Sequence, residues 1–96
     1  MAVLFSLGIS NADAQTIREN SRHQKTRIAH GKRNGEITKR EAFYLGKEQR
    51  KISKEVRKAR SNDGRITARE RFYIRKDQRK SHRHIARARH NNRNRF

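Results

Sequence analysis

Asn34-Gly35-Glu36-Ile37-Thr38-Lys39-Arg40-Glu41-Ala42-Phe43-Tyr44 returns 29 residues later as Asp63-Gly64-Arg65-Ile66-Thr67-Ala68-Arg69-Glu70-Arg71-Phe72-Tyr73. Extended to Lys51 and Lys80, the two copies agree at 11 of 18 positions. Such self-similarity marks a supersecondary unit used more than once. Each copy carries a helix start. Thr38 with Glu41, and Thr67 with Glu70, fit the capping box, in which the hydroxyl accepts from the third helical N–H and the carboxylate reaches back. Ile37 and Ile66 each precede the cap. Ile37 can staple onto Ala42, whereas Ile66 would meet only the aliphatic stem of Arg71. Asn34-Gly35 and Asp63-Gly64 supply the positive φ of a turn.

Downstream of each cap the apolar positions recur at spacings of three and four. One stripe reads Ala42, Leu45, Gln49, Ile52, Val56, Ala59. Its counterpart, Arg71, Ile74, Gln78, Ser81, Ile85, Ala88, is much poorer. An earlier helix offers Ile17 and Ile28. The spacing predicts helices near 16–31, 38–60 and 67–90, with no proline to interrupt them. The expected fold is all-α: three helices in succession, two helix–loop–helix repeats sharing the middle helix, as a small antiparallel bundle or an open array.

The chain has 96 residues, 27 Lys and Arg against 9 acids, and a formal charge of +18. All the Lys and Arg lie beyond residue 14. The first fourteen residues read as a secretory signal peptide: the apolar run Ala2-Val3-Leu4-Phe5-Ser6-Leu7-Gly8-Ile9, then Ala12-Asp13-Ala14 of small-x-small form. No cation precedes the run, and a short buried helix or a disordered tail is the alternative. The run is too short to span a bilayer. Export would place the helical repeat domain, residues 15–90, in the periplasm or outside the cell, followed by a disordered basic tail at 91–96. The apolar supply is thin for so small a domain, and without cysteine no disulfide can offset it.

The faces opposite the stripes are cationic. With Leu45 at zero and about 100° per residue, Phe43, Lys47, Arg50, Lys51, Lys54 and Lys58 fall near 140–240°. Phe72, Lys76, Arg79, Lys80, Arg83 and Arg87 repeat those angles. Like charges four apart cost each helix about 0.2–0.5 kcal/mol per pair, a penalty that a counter-anion removes. Residues 65–96 hold twelve Lys and Arg against two acids. A solvated face is the bland reading of such a ladder, but this excess is too one-sided for it. Phe43 and Phe72 pack on a neighbouring helix, pack at an interface in an oligomer, or stack on a ligand.

The repeat resembles the second half of an EF-hand calcium loop, Gly-x-Ile with a Glu four further on: Gly35, Ile37 and Glu41, then Gly64, Ile66 and Glu70. The resemblance covers about twelve residues per copy and implies a helix–loop–helix joined through the central isoleucine. The ligands do not follow it. His30 and Ala59 stand where the loop wants its first Asp, with Lys32 and Ser61 at its third position, so the loops look like degenerate EF-hands lacking calcium ligands. The chain is also similar, over most of residues 15–90, to small exported basic proteins of Gram-negative bacteria that repeat a Gly-x-Ile/Leu-Thr-x-x-Glu unit. That resemblance implies export and no activity.

Five histidines raise a copper or nickel site. His82 and His84, two apart on a helix, point about 200° away from each other. His84 and His90 are six apart, and His23 and His30 stand two turns from each other. No nucleophile turn, phosphate loop or apolar carboxylate pair suggests an enzyme, and no cofactor is expected. The expected function is sequence-nonspecific polyanion binding at the cell envelope or exterior, through Lys47, Arg50, Lys51, Lys54, Lys58, Lys76, Arg79, Lys80, Arg83 and Arg87. The anions would be lipopolysaccharide, anionic lipid, acidic polysaccharide or nucleic acid. Alternatives are a self-associating envelope protein, a DNA- or rRNA-binding protein if the signal is retained, and a calcium or copper binder.

Overall fold

The computed structural model describes residues 11–63 and 66–94, with side chains over 14–61 and 66–91. Three helices follow one another: α1 (Asn11–Arg33), α2 (Lys39–Asp63) and α3 (Ala68–Asn94). All three pack on one another as an antiparallel bundle rather than an open array. Most of the expected signal segment, residues 1–10, lies outside the described residues; Asn11–Ala14 continue α1, where Ala12 and Ala14 are strong helix formers. α3 runs on through Asn94, into the segment read as a tail. No glycine or proline follows Gly64 to stop it.

Both capping boxes form. Thr38 N–H donates to Glu41 Oε1 at 3.0 Å and Glu41 N–H to Thr38 Oγ1 at 3.1 Å. The second copy repeats this at 2.9 and 3.1 Å through Thr67 and Glu70. Gly35 takes φ +83°, as a tight turn between helices requires. The matching turn at Gly64 lies outside the described residues.

The core is divided into layers. Ile17, Ile52, Ala59, Ile66 and Ile74, with Val56 against them, form one apolar cluster. Ile28, Ile37, Leu45, Ile85 and Ala88, with Ala42, form the other. Ile37 and Ile66 therefore lie at opposite ends, each sealing a cluster, rather than joining one loop to the other. Ile66 buries against Ile17 and Ala59, while Arg71 at the head of the second stripe is exposed.

Between the clusters runs a layer of buried amides. Gln49 Nε2 donates to Gln24 Oε1 at 2.8 Å and to Ser81 Oγ at 2.9 Å. Gln24 Nε2 donates to the Gln78 carbonyl at 2.8 Å. Gln78 Nε2 donates to the Ile17 carbonyl and to Ser21 Oγ. These bonds tie all three helices at one height. Sliding one helix by a turn would strand several buried polar groups, each costing about 1–3 kcal/mol, so the layer fixes the register. The poor second stripe is thus adequate: Gln78 and Ser81 are buried because they are bonded.

One glycine is required by packing. Gly31 is buried where the chain leaves α1, and a Cβ on it would lie 2.6 Å from Cγ1 of Ile37. Gly31→Val is expected to lower the unfolding free energy by about 2 kcal/mol through overpacking, read from urea denaturation. An unchanged midpoint would refute this close approach.

Candidate polyanion-binding surface

The ladders sit where the helix periodicity puts them. All ten cations, Lys47 to Lys58 on α2 and Lys76 to Arg87 on α3, are exposed, because each lies opposite a buried seam. The two ladders point outward from the bundle axis and diverge. Their near flanks border one groove: Lys47 of α2 and Arg87 of α3 line it together.

The acids lie elsewhere. Glu41 and Glu70 hold the caps. Glu36 Oε1, in the first loop, accepts from Arg89 Nη2 at 2.8 Å and from Asn34 Nδ2 at 2.8 Å. Asn34 Oδ1 in turn accepts from the Glu36 N–H. Asn34 Oδ1 and Glu41 Oε1, at two positions whose side chains ligate in a calcium loop, here accept from backbone N–H groups. Glu48 Oε2 lies 2.6 Å from His84 Nδ1 across the α2–α3 groove. Because the carboxylate only accepts, the imidazole proton sits on Nδ1. Lys51 Nζ lies 3.8 Å from Asp77 Oδ2. Among the described residues this is the one ladder cation within an ion-pair distance of an acid. Of the seven acids whose side chains are described, Glu19 alone is exposed. Among the described residues the exposed charge is therefore almost wholly cationic.

Glu55 faces Asp77 in the same groove. Burial pushes the Glu55 carboxyl up to about 7, reinforced by the hydrogen bond and charge of Asp77 and opposed by Lys51. Its Oε1 is buried, with no donor nearby among the described residues, so a proton shared with Asp77 satisfies the pair. The sign follows directly. The folded state binds this proton more tightly than the unfolded chain does. The resulting stability is fully present below the ordinary carboxyl range and lost as pH rises through about 7. The pair is partly solvated, so the discounted effect is about 1 kcal/mol, or roughly 4–8 °C in Tm. Between pH 5 and 8, Glu55→Gln is expected to lose Tm by that much less than the parent. Equal slopes for parent and variant would contradict the shared proton.

Four aromatic rings stand in water. Phe43 and Phe72 are 60% and 57% exposed, and their neighbours Tyr44 and Tyr73 are 59% and 48% exposed. Within each pair the rings meet edge to face, with centroids 5.8 and 5.4 Å apart. Lys47 Nζ lies 5.6 Å above the Phe43 ring. Phe43 and Phe72 are therefore not packed on a neighbouring helix of the chain. The sequence reading missed the tyrosines, although their repetition was its only available signal. Because α2 and α3 are antiparallel, the pairs sit at opposite ends of the bundle.

The histidines separate as their spacing predicts. His84 pairs with Glu48, while His82 Nδ1 lies 2.9 Å from Arg27 Nη1 on the α1 side. Burial, then the nearby charge of Arg89, lowers Arg27 below the ordinary arginine value. Among the described residues no three His, Asp or Glu side chains gather as metal ligands do, and no helix is long and apolar enough to cross a membrane. Compared with known protein families, curated proteins and solved structures, the chain matches none.

Proposed function

We propose that this chain is a non-enzymatic, sequence-nonspecific polyanion-binding protein of the cell envelope or exterior. One observation carries the reading: among the described residues every acid but Glu19 is drawn into a cap, loop or interhelical groove, and of the ten ladder cations Lys51 alone lies within ion-pair distance of one. The mechanism is release of condensed counterions as Lys and Arg meet phosphates or sulfates. Exposed Phe43, Tyr44, Phe72 and Tyr73 add flat apolar contacts that stack on bases or enter the headgroup region of lipid. No element presents a base-reading motif, so binding is indifferent to sequence.

The address selects the anion. A cleaved segment after Ala14 leaves lipopolysaccharide phosphates, anionic lipid, acidic polysaccharide or extracellular DNA. A retained segment favours DNA or ribosomal RNA. Self-association is the weaker reading, because Leu45, Ile52, Ile74 and Ile85 are already buried within one chain. The test is titration of the protein at low salt with heparin, duplex DNA and vesicles containing anionic lipid. Micromolar or tighter binding to at least one is expected. Indifference to all three would end the proposal.

A further inference from the structure

Two of the three interhelical grooves are crossed by pairs of unlike groups. Glu48–His84 and Lys51–Asp77 bridge α2 and α3. Arg27–His82 bridges α1 and α3, with Glu36–Arg89 at the end of the bundle. The groove between the first half of α1 and the last half of α2 differs. Arg18, Arg22 and Lys25 form one wall and Arg57 and Arg60 the other, and among the described residues no acid lines it and no ion pair crosses it. Its floor is made of Ala14, Ile17, Val56 and Ile66 with Ser21, Ser53 and Ser61 among them, and about 660 Å³ stands open above that floor.

We infer that this groove binds a single acyl chain carrying an anionic headgroup. Apolar Ala14, Ile17, Val56 and Ile66, with only small serines between them, favour a hydrocarbon occupant, because burying apolar surface is favourable. From Ala14 to Lys25 the groove runs about 16 Å at 1.5 Å per residue, the length of a medium acyl chain. Arginines on both walls offer forked donors to a phosphate or carboxylate, whichever way the chain enters. A partner helix fits less well, because it needs an apolar row along the bundle. Here the floor stops at the layer of Gln24 and Gln49, beyond which a separate hollow opens around Ile28, Ala42 and Phe43. The site uses none of the ladder residues, so it does not rest on the polyanion reading.

The test is methyl NMR of the full chain titrated with monomeric myristoyl lysophosphatidylglycerol. Shifts are expected at Ile17, Val56 and Ile66, with contacts from the acyl chain to these methyls, and much smaller shifts at Ile37 and Ile85. The phosphocholine counterpart of equal chain length should bind about tenfold more weakly, a difference of about 1.4 kcal/mol. Ser53→Phe, which fills the groove, should abolish the lipid-induced shifts at Ile17 and Ile66 while leaving DNA binding intact. Should that variant not fold, Arg22→Gln with Arg57→Gln is expected to erase the headgroup preference. Lys54→Glu with Arg83→Glu should leave the lipid-induced shifts at Ile17, Val56 and Ile66 unchanged, which separates this site from the ladders. Four outcomes would overturn the inference: equal affinity for both headgroups; shifts confined to the ladders and aromatic pairs; contacts from Leu4, Phe5 or Leu7 to Ile17 and Val56 in the lipid-free protein; or tighter occupation of the same methyls by an acidic amphipathic peptide or a second copy of the chain.

Discussion

Ile52→Asp is expected to abolish the cooperative melt and most of the helical circular dichroism at 25 °C. Ile52 is 1% exposed at the centre of the cluster that joins all three helices. Removing its side chain from that cluster forfeits about 2–5 kcal/mol, counting the cavity left behind. A carboxylate put there must be desolvated or protonated, which adds several kcal/mol more. A core of this size without disulfides supplies only about 3–5 kcal/mol of net stability. The loss exceeds the reserve. Ile52→Val, which keeps the volume nearly constant, should cost about 0.5–1.5 kcal/mol and leave a folded chain. A folded, cooperatively melting Ile52→Asp would mean that the helices do not share this core.

Lys54→Glu with Arg83→Glu is expected to separate binding from folding. Both side chains are exposed near the middle of their ladders, and neither lies within ion-pair distance of an acid among the described residues. Arg50, Lys54 and Lys58 are successive like charges at i, i+4 spacing, as are Arg79, Arg83 and Arg87. Reversal turns four repulsive pairs into attractive ones, each worth about 0.2–0.5 kcal/mol to its helix. The Tm should therefore hold or rise. Affinity for duplex DNA should nevertheless fall by at least about tenfold at 50 mM salt, and the salt slope should flatten by about one for each phosphate contact removed. A variant that loses only stability would show that the ladder is not a binding surface.

Local signals carried most of the fold. Thr38–Glu41 and Thr67–Glu70 are capping partners three residues apart, so chemistry within one turn sufficed to place two helix starts. The seams of α2 and α3 were legible because burial follows the helical period. What escaped depends on the third dimension. Gln24, Gln49 and Gln78 lie far apart in the chain, and nothing local says that their amides meet. On sequence alone Gln78 and Ser81 read as flaws in a stripe. Gly31 was unreadable for the same reason, since its need arises from Ile37 folding back against it.

The candidate surface divides in the same way. The angular position of each ladder cation followed from the helical period, and so did its exposure. That the acids withdraw into grooves did not follow, because Glu36–Arg89 and Glu48–His84 each join distant segments. The cations of the α1–α2 groove were missed because α1 lies outside the duplicated unit, so no comparison between copies drew attention to Arg18 or Arg22.

Salt dependence of duplex DNA binding by the parent protein tests the central claim most directly. One ladder presents at least four cations free of acids, Lys47, Arg50, Lys54 and Lys58, so log affinity against log salt should fall with a slope of about −4. Raising salt from 50 to 200 mM should then weaken binding by about two orders of magnitude, equally for unrelated DNA sequences. A slope near zero, or no binding at the lowest salt, would contradict the account.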